Sequence, residues 1–415
     1  MNRIIATTGI AALGAAVCQP ALAQDAKPWN VTASVRTFYD DNYLTLPKGG
    51  KRSSWGTDFS PSGVYKLTHD QTVLDLSARY GMRYYEDRRE NSADHSFNLG
   101  VQGTHQFTER FKIKASDSFT ISQEPGVLDP GAVATPLRTQ GNNLGNIFDL
   151  NFSAVMTSLL TLEAAYSNKY YDYQQTGLGS RSALLDRVEH LFTLNSRWQV
   201  FENTVALAGY SFGLVDQTSK DIVAAPGVTP DARDSRSHYL FIGADHTFSP
   251  EFSVSGRFGY QLTEFPNVRR IEQALAITPL SSDTASNPFV DLSGTYALKE
   301  NSMLQLGIKH SRAQSDVVVL DSEATVVYWN LNYEFTPLIN ASLIGQYQLT
   351  TFNQSNDPVE HNKSDNFFSV GCNLEYKFTQ FWSAEAGYNY DRLDSDLNGR
   401  SYYRNRIYLG FKATW

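Results

Sequence analysis

The sequence has almost no cysteine, no long apolar run beyond its first residues and no excess of positive charge. Of its 415 residues only Cys18 and Cys372 are cysteines, and we expect Cys18 to be removed with the N-terminal segment, so the mature chain cannot form an internal disulfide. After residue 23 there is no stretch of 18 consecutive apolar residues, which excludes a membrane-spanning helix. The formal charge of -8 argues against the basic face that a nucleic-acid partner requires.

The first 23 residues have the organisation of a secretory signal peptide. A short basic start at Arg3 precedes an apolar run from residue 4 to 17, and Ala21-Leu22-Ala23 supplies the small residues that a signal peptidase reads. Lipidation of Cys18 is disfavoured because Val17 occupies the position where a small residue is expected. We therefore expect residues 1–23 to be cleaved. Residues 24–415 should form one domain, since no linker or change of composition divides them.

Polar and apolar residues alternate along most of the remaining chain. From Leu74 to Tyr84 one set of alternate positions is wholly apolar, and the other carries Asp, Ser, Gly and two Arg. A period of two places such sets on opposite faces of a β-strand. Mean hydropathy is only -0.36, yet 13% of residues are aromatic. This combination is typical of membrane strands, in which only every second residue meets lipid.

The connections between these runs alternate in length. Eight are short, such as 68–71 and 336–337, and nine are long and polar, such as 123–143 and 265–287. This predicts an all-β fold: a single transmembrane antiparallel up-and-down β-barrel of about 18 strands, with short periplasmic turns and long extracellular loops. A soluble propeller is the alternative, but aromatics end the apolar faces beside the short turns, as at a membrane–water interface.

The C-terminal residues resemble the signal that the bacterial barrel-assembly machinery reads on a terminal strand. The chain ends on Trp415, Gly410 stands five positions before it, and an apolar residue stands two before it. We therefore expect an integral outer-membrane protein. Its expected partners are the assembly machinery, periplasmic chaperones, outer-membrane lipid and lipopolysaccharide, and no nucleic acid.

Several short motifs resemble those of the beta-barrel porin type 2 family of outer-membrane proteins. They are Tyr39-Asp40-Asp41-Asn42 ending the first strand, Ser60-Pro61 on the second, Tyr84-Tyr85-Glu86-Asp87 ending the third, and Asp117 on the fifth with Pro125 after it. The resemblance spans the mature chain through short, degenerate motifs. It implies a barrel with a porin-like role and supplies no catalytic residues.

Three patterns could carry chemistry, and each has a structural interpretation that we favour. Gly209 to Gly213 matches the nucleophile elbow of α/β-hydrolases around Ser211, but no helix is predicted after it. Asp394 to Gly399 matches the first half of a calcium loop, and Asn405 stands where the bidentate Glu belongs, so we expect a hairpin turn. The eight His residues show no metal-ligand spacing, although four could face lipid beside a serine as in an outer-membrane phospholipase: His105, His190, His246 and His310.

One carboxylate, Asp117, has a phase that points it towards lipid, where an unsatisfied charge is costly. We expect a β-bulge between Lys114 and Phe119 to shift the phase. The alternative is that Asp117 lies above the apolar band.

The residues predicted to face the barrel interior separate by charge. Strands 18, 1, 3 and 5 form one arc because closure brings strand 18 beside strand 1. The inward charges of this arc are mainly basic, and Asp75 is the main carboxylate opposed to them. The basic residues are Arg36, Arg79, Arg83, Lys112, Lys114, Arg404 and Arg406, with Lys412. Strands 6 to 17 contribute a mostly acidic wall: Asp149, Glu163, Glu189, Asp245, Asp291, Glu334, Glu375 and Glu385. Two opposed walls would create a transverse field that suits dipolar solutes. The alternative is that the charges pair locally and fill a narrow interior.

An 18-strand barrel is wide enough to hold water. The sequence therefore predicts a porin-like channel for passive or loop-gated diffusion of small hydrophilic solutes, with no cofactor, no metal and no catalytic residue. We expect one of the loops 123–143 or 265–287 to fold inward, the second through a helical turn at 271–277. A closed barrel whose loops serve structure or adhesion is the first alternative, and a lipid-modifying enzyme is the second.

Overall fold

The computed structural model describes residues 27–123, 143–225, 227–275, 283–312, 314–318, 321–353 and 363–415. The expected signal peptide at 1–23 lies outside these residues, and so does nearly all of the loop 123–143. The structure therefore bears on neither prediction.

Eighteen strands form one antiparallel sheet in which each strand pairs with the next along the chain. Their bounds are β1 Trp29–Asp40, β2 Ser54–His69, β3 Thr72–Tyr85, β4 Ala93–Gln106, β5 Phe111–Ser122, β6 Asn143–Val155, β7 Leu160–Tyr173, β8 Arg187–Phe201, β9 Thr204–Gln217, β10 Ser235–Thr247, β11 Phe252–Glu264, β12 Thr284–Lys299, β13 Ser302–Arg312, β14 Asp321–Thr336, β15 Ile339–Asn353, β16 Ser364–Lys377, β17 Trp382–Ser395 and β18 Tyr402–Thr414. The pairing of β1 with β18 closes the sheet, so the predicted 18-strand barrel is confirmed.

Closure is made at the C-terminus, as the sequence predicted. Val31 and Trp415 exchange two backbone hydrogen bonds, of 3.1 and 2.9 Å. Further along the seam, Gly410 stands opposite Arg36, and a Cβ added at Gly410 would lie 2.7 Å from the Arg36 Cγ. Gly410 therefore gives the Arg36 side chain room to cross the seam. Its role as an assembly signal stays a prediction.

Aromatic residues occur at two levels of the lipid-facing surface. Exposed aromatics surround the short turns, among them Trp29, Phe107, Phe248 and Trp382. Six to eight residues above the periplasmic strand starts, five outward tyrosine hydroxyls each hydrogen-bond a His or Asn on the next strand at 2.6–2.8 Å: Tyr80–His95, Tyr166–His190, Tyr210–His238, Tyr347–Asn366 and Tyr388–Asn405. Each pair satisfies the phenol hydroxyl, the polar end of an otherwise apolar ring.

The bulge expected near Asp117 is wrong. β5 keeps one register with β4 and β6 from end to end, so Asp117 stays on the outward face. It lies six residues above the start of β5, the height that Tyr166 and Tyr210 occupy on their strands. The Asn146 amide donates to the Asp117 carboxylate at 2.9 Å. The pair therefore repeats the tyrosine pattern, with a carboxylate in place of the phenol.

The described parts of the extracellular loops contain two short α-helices, α1 at Arg181–Leu185 and α2 at Val268–Leu275. The Ser180 hydroxyl caps α1 by accepting from the Ala183 amide, 3.1 Å away. α2 begins three residues before the helical turn predicted at 271–277. Within the part of the chain described, no helix is long and apolar enough to cross a membrane.

Candidate functional site in the barrel interior

The alternation of each strand places all the predicted interior charges on the inward face. Arg36, for example, shares its face with Phe38 and Asp40, whereas the neighbouring Val35 faces outward and is 49% exposed. The same reasoning applies to the other six basic residues and to the eight acidic residues of the predicted wall. What the sequence did not predict is how these charges are combined.

Four arginines of the basic arc form close ion pairs. Arg36 contacts Glu385 at 2.7 Å, Arg404 contacts Asp391 at 2.5 Å, Arg406 contacts Asp40 at 2.7 Å, and Arg83 contacts Asp58 at 3.3 Å: four pairs lying side by side near the seam. The arc is therefore not an uncompensated basic surface. The expectation that mainly Asp75 would oppose it omitted Asp40, Asp58 and Asp391.

Most of the predicted acidic wall is also paired locally. Arg197 lies between Glu163 and Asp245, at 3.6 and 2.6 Å, while Glu189 is contacted by Arg187 and Lys169. Glu375 pairs with Lys412 at 2.8 Å, and Asp291 with Lys309 at 3.9 Å. The Asn301 amide donates to Glu334 at 3.0 Å. Glu375 and Glu385 belong to the arc's own ion pairs, so two opposed walls do not describe the interior.

Three members of the basic arc have no such partner. Among the described residues, no carboxylate lies within 4.0 Å of a charged nitrogen of Arg79, Lys112 or Lys114. Asp75 and Asp149, two of the acidic residues on the same side of the barrel, likewise form no ion pair within the described chain. The interior therefore contains paired charges and charges without an ion pair, and most of the latter in the described chain lie on β2, β3, β5 and β6.

The same side of the interior is open to solvent. Inward residues of β2 to β5 are exposed well away from the strand ends, and we call this surface the open wall: Val64, Lys66, Ser77, Arg79, Gln102, Lys114 and Ser118. On the described parts of β6 to β18, exposed inward side chains occur only within two residues of a periplasmic strand end, as at Ser253 and Lys377. Water thus reaches mid-barrel along one side.

Side chains fill the opposite side. Phe241 points inward from β10 and is 8% exposed, and its ring lies 6.0 Å from that of Phe289 on β12. A Cβ added at Gly209 or Gly259 would lie 2.3 or 2.6 Å from Phe241. The glycines of β9 and β11 therefore make room for this ring. Their role is packing, which accounts for Gly209 of the motif around Ser211 without a nucleophile elbow.

Ser211 and the histidines also have structural partners. The Ser211 hydroxyl lies 2.7 Å from that of Thr193, inside a strand that runs on to Gln217 without a helix. His105, His246 and His310 each meet a threonine hydroxyl at 2.7–2.8 Å, and His190 meets Tyr166. None of these four hydrogen bonds places a serine at a histidine.

The calcium-like segment is built as a turn. Asp396 accepts from the Ser364 amide and hydroxyl at 2.9 and 2.8 Å, Asp394 pairs with Arg392, and Gly399 has a φ of +73°. Within the described ranges, no group of three or more His, Cys, Asp or Glu residues is placed to hold a metal ion.

An extracellular loop segment, Ser315–Val317, folds against the inward face of β15, and we call it the strap. Val317 packs on Phe352, an inward residue of β15 that is 1% exposed. Only about 10 Å³ of free space remains between the strap and the inward residues Gln348 and Thr350. The strap therefore occupies the mouth of the barrel.

Two buried arginines hold the strap. Arg400, in the last extracellular loop, donates to both Asp316 oxygens at 3.2 and 2.8 Å and to Asp365 at 2.8 Å. Burial acts to lower the pKa of Arg400, but the two carboxylates outweigh it and raise that pKa, so the charge is retained. From the other side, Arg233 donates to the carbonyls of Leu184 and Ser315, at 2.5 and 2.8 Å. Burial lowers the pKa of Arg233 to about 10.

The loops behind Arg233 pack into one cluster. Ile271 of α2 lies with Ala183, Leu184 and Leu185 of α1 and with Val228. Asp234 links two of these loops, because it accepts from the Gln217 amide and from the Asn267 side chain, each at 2.8 Å. Burial raises the pKa of Asp234 to about 6, and the nearby Asp216 and Asp231 act in the same direction.

Part of the chain matches the model of a known protein family. The model of the family described as "Outer membrane protein beta-barrel domain" matches residues 270–414, about a third of the chain. No curated protein matches the sequence.

Solved outer-membrane proteins show a distant likeness. OpdK of Pseudomonas aeruginosa is 10% identical, with 93% of this chain and 99% of that chain covered and a TM-score of 0.45. OccAB4 of Acinetobacter baumannii is 12% identical, with 94% and 99% covered and a TM-score of 0.44. A BenF-like porin of Pseudomonas fluorescens Pf-5 is 11% identical, with 93% and 99% covered and a TM-score of 0.45.

The segment that matches the family model contains seven complete strands, β12 to β18, of the closed sheet. The other strands have the same features as this segment: apolar residues on the lipid-facing surface, aromatics beside the short turns, and short turns at one end of the barrel. The chain is an outer-membrane β-barrel protein.

Proposed function

We propose that the protein is a porin-like channel for passive or loop-gated diffusion of small hydrophilic solutes across the outer membrane. The observation that supports this most directly is the open wall. Its exposed polar residues run from Lys66 near the periplasmic end to Arg79 and Ser118 at mid-height, each seven residues above the periplasmic start of its strand. A barrel that served only as a scaffold would have no need of free charges along a wet interior surface, because each is costly unless it stays hydrated.

The passage that we propose is eccentric. Phe241, Phe289 and the loop cluster occupy the side of β8 to β15, and the strap covers part of the mouth above β15. Solutes would therefore travel along β2 to β6. The strap and its two arginines would act as the gate that limits access from outside.

The experiment is conductance of the refolded protein in planar bilayers, together with efflux of uncharged solutes of graded size from liposomes. A channel gives discrete current steps and size-limited efflux. A barrel closed by its loops, the main alternative, gives neither.

Catalysis forms no part of the proposal. Ser211 is inside a strand and bonded to Thr193, and His190 is bonded to Tyr166, so neither is arranged as a nucleophile with its base. Hydrolysis of phospholipid by the refolded protein, abolished in a His105→Ala or His190→Ala variant, would favour the enzyme instead.

A further inference from the structure

Most of the interior charges without an ion pair lie on the side that water reaches, and cations outnumber carboxylates among them. Lys66, Arg79, Lys112 and Lys114 point inward from β2, β3 and β5, and none forms an ion pair within the described chain. Asp75 and Asp149 are the carboxylates without an ion pair on the described part of this side, because Asp58 pairs with Arg83 and Asp94 with Arg88. This side therefore has a net positive charge although the whole chain carries a formal charge of -8.

Paired and free charges affect a passing ion very differently. The Arg404 guanidinium lies 2.5 Å from the Asp391 carboxylate, and both are almost completely buried, so at a distance the pair acts only as a small dipole. A free lysine in water keeps its full monopole field, which extends over about 8–10 Å at physiological salt. Selectivity should therefore depend on the free cations and depend little on the paired arginines, despite the number of arginines near the seam.

The free cations are also spaced along the passage. Lys112 and Lys114 lie one and three residues above the start of β5, and Arg79 lies seven residues above the start of β3. At about 3.3 Å per residue, reduced by strand tilt, they cover the periplasmic half of the barrel. A small anion leaving Lys114 would remain within reach of another cation for much of this path.

We infer that the open wall is a binding surface for small anions, carboxylates or phosphate, and that Arg79 and Lys114 set an anion preference of the channel. The inference rests on the proposed function and specifies the solute class of that same passage. The guanidinium of Arg79 offers the paired donors that fit a two-oxygen anion, and the lysines supply point charges. The neighbouring hydroxyl of Ser77 and amide of Gln102 are exposed on the same face.

The test is the reversal potential of single channels across a tenfold KCl gradient. The wild-type protein should prefer chloride. Arg79→Glu and Lys114→Glu should each shift the anion-to-cation permeability ratio towards cations by about threefold at 0.1 M salt and by less at 1 M. The matched control is the double variant Asp391→Asn with Arg404→Gln, which removes a buried pair without changing the net charge and should leave the ratio unchanged.

If the anion-to-cation permeability ratio changes in the control and not in the two single variants, the inference is overturned, while the proposed channel function is unaffected. If the wild-type protein passes no current at all, the proposed function fails. Calorimetric titration of the detergent-solubilised barrel with inorganic phosphate then decides the inference alone. Binding that is weakened in Lys114→Glu supports the anion surface, and no binding, or binding unaffected by that substitution, overturns it.

Discussion

Releasing the strap should open the channel, and Arg400→Met is the substitution that does this with least change elsewhere. The side chains of Arg400, Asp316 and Asp365 are 8%, 12% and 2% exposed. Methionine keeps most of the side-chain volume but leaves the two carboxylates facing each other without a cation. Because the barrel strands are held by backbone pairing, we expect the strap to move and the sheet to remain.

The size of the effect follows from this burial. Removing one partner of a buried ion pair costs about 3–5 kcal/mol. Since about 1.4 kcal/mol is a factor of ten in an equilibrium constant, even the lower figure shifts the balance between packed and released strap by more than about 100-fold. A strap that is packed most of the time in the wild-type channel would thus be released most of the time in the variant.

The assay is single-channel recording in planar bilayers. Arg400→Met should show a larger mean conductance and fewer closures than the wild-type channel. The matched control is Arg392→Met, because Arg392 also pairs with an aspartate but is 55% exposed, and exposed pairs contribute little. If Arg400→Met conducts and closes as the wild-type channel does, while resistance to heat unfolding shows a normal barrel, the strap does not limit the passage.

Three further predictions concern the mouth, the lipid face and assembly. A raised carboxyl pKa means that the packed loops favour protonated Asp234, so the loop cluster should be most stable below about pH 4 and lose stability as pH rises to about 6. Channel closures should accordingly last longer at pH 5 than at pH 7.5, and this pH dependence should disappear in Asp234→Asn. An equal pH dependence in the variant would show that Asp234 is not the titrating group. Asn146→Ala should lower the temperature midpoint of unfolding, because it leaves the Asp117 carboxylate in the membrane without its hydrogen-bond donor, whereas Asp117→Leu should not lower it. A lower midpoint for Asp117→Leu than for Asn146→Ala would show that Asp117 does not face lipid. Deleting Trp415 should reduce surface abundance in cells far more than stability of the refolded barrel, and unchanged abundance would count against the assembly signal.

The strand count and the closure of the barrel could be predicted because both follow from local sequence patterns. Alternation marks each strand, and the strict succession of short turns and long loops fixes an even number. The outward phase of Asp117 is also correct. The error lay in expecting a bulge to turn it away, because the sequence gives no sign that Asn146 on the next strand would satisfy it.

The charge arrangement could be predicted only in part. Which residues face inward follows from phase, but which charges meet depends on register between strands that are far apart in sequence. Arg36 and Glu385 are 349 residues apart and come together across the closed seam. Asp40 and Asp391 could have been identified as partners by extending the inward phase of β1 and β17 to their extracellular ends. The strap could not, because loop contacts such as Arg400 with Asp316 have no periodic signal.

Water and solutes should pass through the interior along the open wall. The decisive measurement is the single-channel current of Ser77→Cys in a Cys372→Ala background while a negatively charged, water-soluble thiol reagent is added. We predict a stepwise fall in conductance as the thiol introduced at position 77 is modified, and no change for Ser211→Cys, whose side chain is buried on the filled side. A current that is unaffected by modification at position 77, or an absence of any current in the unmodified protein, would show that the open wall does not line a solute passage.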